Sequence, residues 1–152
     1  MLPESTPFLI SMVRRRLNLL FTAALSPHRV TPRQFGVLSR LWRQDRLTVE
    51  ELAQQLYTDQ SSLSRIVDRM VRARLVLRRV DPRDRRARRI YLTRRGRALK
   101  HPTVAVIAAL EARMLDGFSA AETRRLRRDL GRLLENLADE PAAVPSLRAV
   151  SR

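Results

Sequence analysis

Three times in this chain a hydroxyl-bearing residue stands three positions before a Gln or Glu at the head of an amphipathic run: Thr31 with Gln34, Thr48 with Glu51, and Ser119 with Glu122. In such a pair the hydroxyl accepts from an orphaned backbone N–H, and the longer side chain reaches back to the cap, so each pair marks a helix start. Pro32 takes the first helical position after Thr31, where its missing N–H costs nothing. The helix opened there puts Phe35, Leu38, Leu41 and Trp42 on one face. The helix opened at Thr48 places Val49, Leu52, Ala53 and Leu56 at i, i+3, i+4 and i+7, and the polar turn Tyr57-Thr58-Asp59 follows at once. Thr58 or Asp59 is placed to cap a further helix, about Gln60–Ala73. A short helix, a three-residue polar turn and a second helix have the layout of a helix-turn-helix.

On that second helix Leu63, Ile66, Val67, Met70 and Val71 fall on one side at about 100° per residue. Ser61, Ser62, Arg65, Asp68, Arg69 and Arg72 lie opposite. Small hydroxyls at the N-terminal end would let the helix approach base edges, and Arg farther along can pair with guanine or clamp a phosphate. A solvated amphipathic helix fits this face equally well. The following residues decide between the two. Leu75–Val80 is a short extended run, Asp81-Pro82-Arg83-Asp84-Arg85-Arg86 a turn, and Arg88–Thr93 a returning run. A helix-turn-helix followed by a β-hairpin is a winged helix, and its Arg-laden tip suits a narrow, strongly negative minor groove. Asp81 and Asp84 are read as orienting neighbouring Arg side chains and tightening the turn. The expected fold class is therefore mainly α with a small β-hairpin wing (α+β).

Charge concentrates on the same segment. The chain of 152 residues carries a net +16. Between Ser61 and Lys100 stand 14 Arg and one Lys against only Asp68, Asp81 and Asp84, an excess of 12. Codon preference for Arg does not confine charge in this way, whereas a polyanion-binding surface does. Other classes fall away. With no cysteine, thiol redox chemistry, disulfides, iron–sulfur clusters and cysteine zinc sites are excluded. His28 and His101 stand alone, so no metal site is expected. There is no carboxylate pair or Ser–His arrangement, and Gly36, Gly96, Gly117 and Gly131 are isolated, so neither an enzyme nor a cofactor is expected.

No apolar run approaches the ~20 residues of a membrane span. Arg14-Arg15-Arg16 ahead of Leu17–Leu25 shares the shape of a signal peptide. However, Phe8, Leu9, Met12, Val13, Leu17, Leu20, Phe21 and Ala24 recur at helical spacing without a cleavage motif. An amphipathic helix over about 6–25, ended by Ser26-Pro27, and a cytoplasmic protein are expected. Val104, Ile107, Ala108, Leu110, Met114 and Leu115 give a later helix an apolar side. Leu126, Leu130, Leu133, Leu134 and Leu137 do the same after Ser119. With the first helix these stripes exceed what a winged-helix core needs and suit a homodimer. The expected organisation is a dimerisation helix over 1–30, a winged helix-turn-helix domain over 31–93, dimerisation helices over 94–138 and a tail over 139–152.

Leu47–Thr93 resembles the DNA-binding domain of the MarR (multiple antibiotic resistance regulator) family of winged-helix repressors. The wing matches that family's D-x-R-x-x-R signature at Asp81, Arg83 and Arg86. Thr31–Leu38 is similar to its second helix, Leu63–Met70 to its recognition helix, and Leu92–Leu99 to the junction into its long fifth helix. The likeness covers about residues 8–138. It departs at Arg74, where the family usually has Gly, and at Pro102, inside the expected fifth helix. The resemblance implies a homodimeric repressor of a pseudo-palindromic duplex DNA site, with first, fifth and sixth helices of two chains interlocked. Gln60–Arg69 of each chain would lie in successive major grooves. Ser61, Ser62 and Arg65 would contact bases, Gln60 and Ser64 would share the DNA-binding face, and Arg69, Arg72 and Arg88 would lie on the phosphates. Arg83, Arg85 and Arg86 of the wing would reach the flanking minor grooves, with Asp81 and Asp84 counted among the wing's DNA-binding residues, and Asp68 would pair with Arg86. It further implies release by a small aromatic or phenolic effector, for which Met12, Phe21, Phe35, Trp42 and Met114 are the candidate lining. Two other readings share the charge: a sequence-tolerant architectural DNA binder, and an RNA-binding winged helix. Aromatic residues for base stacking are scarce at 5%.

Overall fold

All three capping boxes form, with the hydroxyl and the Gln or Glu of each pair bonded reciprocally to backbone N–H groups. The computed structural model describes residues 5–81, 84 and 87–137. Helix α1 runs Thr6–Leu25 and is followed by a 3-10 turn at Ser26–His28. Next come α2 (Pro32–Arg43), α3 (Val49–Gln55), α4 (Gln60–Arg72), the hairpin strands β1 (Val76–Val80) and β2 (Arg88–Leu92), α5 (Arg94–Ala98), α6 (Lys100–Met114) and α7 (Ala120–Asn136). The chain divides into two compact units, Met1–Glu111 and Ala112–Arg152.

The core of the first unit is built mostly by residues whose periodicity marked them, with Val37 added and the marked Phe35, Trp42, Val49, Leu56 and Val71 only half-buried against it. Val37, Leu38 and Leu41 of α2, Leu52 and Ala53 of α3, and Leu63, Ile66, Val67 and Met70 of α4 are buried together. Val76, Ile90 and Leu92 of the hairpin close the cluster from the other side. The strands pair antiparallel from Val76↔Leu92 to Val80↔Arg88. Side chains alternate across a hairpin. Val76, Arg78, Ile90 and Leu92 therefore share the inner face, and Leu77, Arg79, Arg89 and Tyr91 the outer one.

A feature absent from the sequence reading is a third extended segment along β2. The Ile90 N–H donates to Leu47 O at 2.8 Å, the Arg46 N–H donates to Ile90 O at 3.1 Å, and Thr48 bridges Arg89. This ties the start of α3 to the hairpin.

Both departures from the family pattern are accommodated locally. Arg74 adopts the left-handed conformation (φ 57°) that Gly would take. The Leu75 N–H reaches Met70 O and the Arg74 N–H reaches Val71 O, each at 2.9 Å, so the end of α4 is closed by a Schellman pair of bonds. The left-handed geometry costs a residue with a Cβ roughly 1–2 kcal/mol. Pro102 is accommodated because the helix breaks at Leu99 and α6 restarts at Lys100, leaving the proline in a first turn. The buried Thr103 hydroxyl donates to Leu99 O at 2.6 Å.

Gly96 sits where α5 presses on the end of α4. A Cβ there would lie 2.1 Å from Leu75 O, so no other residue fits. Its carbonyl accepts from Trp42 Nε1 at 3.0 Å.

Helix α1 leaves Leu9, Ile10, Met12, Val13, Leu19 and Leu20 exposed and buries only Leu25. In the second unit, α7 has no buried residue and exposes Leu130 and Leu134. Among the described residues no helix is long and apolar enough to cross a membrane.

Candidate nucleic-acid interface

Helix α4 begins at Asp59, whose carboxylate accepts from the Ser62 N–H and from Ser61 Oγ, both at 2.7 Å. The cap is therefore Asp59, not Thr58. The Ser61 hydroxyl and then the Ser62 amide hold the Asp59 carboxyl far below the usual carboxylate range. With its proton turned back to Asp59, Ser61 faces outward as an acceptor. Gln60, Ser61, Arg65, Asp68, Arg69 and Arg72 are exposed, while Ser62 and Ser64 are half-buried. The two sides of the helix thus separate as the periodicity predicts.

Arg78 joins this helix to the wing. From the inner face of β1 its guanidinium reaches Asp68 Oδ1 at 2.8 Å and donates to Ser64 Oγ at 3.0 Å. The expected partner of Asp68, Arg86, lies outside the described residues, as do Arg83 and Arg85. Arg78 was missed because its sequence neighbours look like one solvated cationic run. Counting by two from the buried Val76 would have turned it towards α4. Ser64, expected on the DNA-binding face, accepts from Arg78 and so supports the helix–wing junction.

Asp81 is 4% exposed and is bonded by Arg89 Nε. It points into the wing root, which corrects its expected place among the DNA-facing groups and agrees with its reading as an orienter of Arg. Arg89 also donates to Arg46 O at 2.9 Å and lies 3.8 Å from Glu51 of the α3 capping box. The hydrogen bond that Arg89 donates to Asp81 raises the pKa of Arg89 further, so this guanidinium stays charged. The Asp81 N–H donates to Ala87 O and the Ala87 N–H to Asp84 O, closing the turn, with Asp84 and Arg88 exposed. A second brace was also missed: Asp45 accepts from the Leu92 N–H at 3.0 Å and pairs with Arg97 at 3.3 Å.

The five candidate effector residues do not share one environment. Phe35 and Trp42 pack edge to face, with centroids 5.9 Å apart, against the core. Phe21 is half-buried on α1. Met12 lines an open groove of about 480 Å³ along α1 with Phe8, Arg15 and Leu19, and none of the other four borders it. Met114 is exposed at the end of α6. Among the described residues no cluster of His, Asp or Glu is arranged to hold a metal ion.

A helix-turn-helix locked to a braced hairpin, with guanidinium groups on its outer surface, defines a winged-helix nucleic-acid-binding protein. The MarR family model matches residues 30–87. Over 130 residues the chain is 29% identical to the organic hydroperoxide resistance transcriptional regulator of Bacillus subtilis (strain 168), covering 86% of this chain and 87% of that protein. The structure of the reduced form of MarR from E. coli is 30% identical, with a TM-score of 0.72 over 86% of this chain and 96% of that one. The structure of the S. aureus MepR–DNA complex, 23% identical, shares the fold with a TM-score of 0.78 over 88% and 96%. The chain belongs to the MarR family and is a transcriptional regulator, not an enzyme.

Proposed function

We propose that the protein acts in the cytoplasm as a homodimeric, sequence-specific repressor that binds duplex DNA through α4 and the wing. The observation that carries this reading is the split of α4. Leu63, Ile66, Val67 and Met70 are buried, while Ser61, Arg65, Arg69 and Arg72 face outward beside a hairpin held to the helix by Arg78. In the major groove, Gln60, Ser61, Ser62 and Arg65 address base edges, and Arg69, Arg72 and Arg88 hold phosphates. Arg83, Arg85 and Arg86 follow the minor groove. Two such helices one turn of DNA apart require a dimer, and the exposed apolar residues of α1 supply a surface that a monomer would not leave in water.

Selection of bound fragments from random duplexes, followed by titration across salt concentrations, tests the reading. A palindromic site bound at least 10³-fold more tightly than random DNA is expected. Replacing Arg85 and Arg86 by Ala is expected to weaken binding and flatten its salt dependence, by about 0.9 in log–log slope for each phosphate no longer neutralised. Discrimination of tenfold or less would instead identify an architectural binder, and unchanged affinity and slope in the Arg85/Arg86 variant would remove the wing from the interface. Control by a small aromatic effector belongs to the same proposal. A panel of aromatic acids should contain a compound that both raises the melting temperature and releases the operator. Failure of every such compound leaves a constitutive regulator.

A further inference from the structure

The outer face of the wing carries a cationic arrangement that the recognition surface does not use. The guanidinium of Arg46 lies 5.8 Å and that of Arg79 5.7 Å from the centre of the Tyr91 ring, so two cations share one aromatic platform. Arg46 and Arg79 are exposed and Tyr91 is half-buried. Strand alternation sets Arg79 and Tyr91 on the face opposite Arg78, away from α4. Among the described residues no carboxylate pairs with either cation.

Arg46 is also held in place at a cost. It takes a left-handed conformation, φ 71°, which disfavours any residue with a Cβ. Its N–H donates to Ile90 O at 3.1 Å and to Asp45 Oδ1 at 3.0 Å, and its carbonyl accepts from Arg89 at 2.9 Å. A Gly would meet the same turn without strain. The side chain that stands there instead is directed onto Tyr91 by a backbone fixed at both ends. Stacking leaves the in-plane N–H groups of a guanidinium free to donate, the geometry that suits a phosphodiester.

We propose that Arg46, Arg79 and Tyr91 form a second phosphate-contacting surface, on the outer face of the wing, which takes the backbone of the same duplex beyond the recognition site. The proposal rests on the reading of the protein as a duplex-DNA binder. Charge complementarity and continuity with the wing both point to this occupant. The surface fixes no base sequence; it lengthens the footprint and steepens the salt dependence.

The test compares the wild type with an Arg46→Gln/Arg79→Gln double variant on a selected operator, either trimmed to its palindrome or extended on both sides. Circular dichroism melting controls for folding, and a Tyr91→Phe variant keeps the platform. The wild type and Tyr91→Phe are expected to bind the extended duplex more tightly than the trimmed one, and the double variant is expected to bind both alike. With two phosphates per chain, the slope of log K against log salt on extended DNA should fall by about 1.8 per chain, or roughly tenfold less affinity lost between 50 and 200 mM salt. Equal wild-type affinity for both duplexes, or a double variant that keeps the gain, overturns the proposal. A wild type that binds no duplex overturns the underlying reading instead.

Discussion

Beside the shared apolar core, Arg78 makes a polar joint between recognition helix and wing, and replacing it by Met measures that joint. Met keeps the apolar stem and loses the 2.8 Å ion pair to Asp68 and the 3.0 Å hydrogen bond to Ser64 Oγ. The ion pair is partly exposed, at 26% for Arg78 and 50% for Asp68, so solvent screening keeps it to about 0.5–1 kcal/mol. The hydrogen bond adds about 1 kcal/mol. A loss of about 1.5–2 kcal/mol follows, which at a typical urea dependence lowers the midpoint by roughly 1 M with an unchanged m-value. Protomer concentration must be held fixed, because the proposed dimerisation would shift apparent stability. A double-mutant cycle with Asp68→Asn isolates the pair and should return a coupling of about 0.5–1 kcal/mol that shrinks in 1 M salt. On DNA, Arg78→Met should weaken operator binding by about tenfold, while random DNA, which does not need a fixed helix–wing spacing, changes much less. A coupling near zero, or equal losses on operator and random DNA, would refute the argument.

Three further outcomes test other parts of the chain. Gly96→Ala forces a Cβ to within 2.1 Å of Leu75 O and should cost about 2–3 kcal/mol in thermal or urea unfolding, although Ala is the better helix former. Thr48→Ala removes the cap of α3 and should cost about 1 kcal/mol, read by the same unfolding assay. Asp59 has a lowered pKa in the folded state, so its contribution is complete above the unfolded-state value, near 4, and is lost as the pH falls through the folded one. Asp59→Asn keeps a capping side chain, and its stability should therefore fall less than the wild type's between pH 5 and pH 2.

What could be read from the sequence is what is local. A capping box is a signal four residues long, and a buried helix face repeats every three or four, so α2, α3, α4 and α7 start where Thr31, Thr48, Asp59 and Ser119 place them. The Leu47–Thr48 segment was invisible because two residues are too few to display a period of two, and only its pairing with Arg89 and Ile90 reveals it. Asp81 reads as a surface charge in a polar turn. Its burial depends on Arg89, eight residues away and brought back by the hairpin. Arg78 and Asp68 are likewise ten residues apart along the chain, with no local pattern to join them.

The charge excess shows the same division between local count and tertiary assignment. Net charge cancels one cation for each carboxylate between Ser61 and Lys100 without saying which, and the fold makes that choice. Arg78, Arg89 and Arg97 pair with Asp68, Asp81 and Asp45, and their first task is to fix the wing against α4, α3 and α5. Arg65, Arg69, Arg72 and Arg88 remain exposed on the helix face and at the hairpin tip. Counterion release is governed by phosphates met, not by net charge carried. The pairing of Arg with Asp inside the winged helix therefore decides which of the cations behind the net +16 face a polyanion, while the rigidity those pairs confer sets the spacing on which discrimination between DNA sites depends.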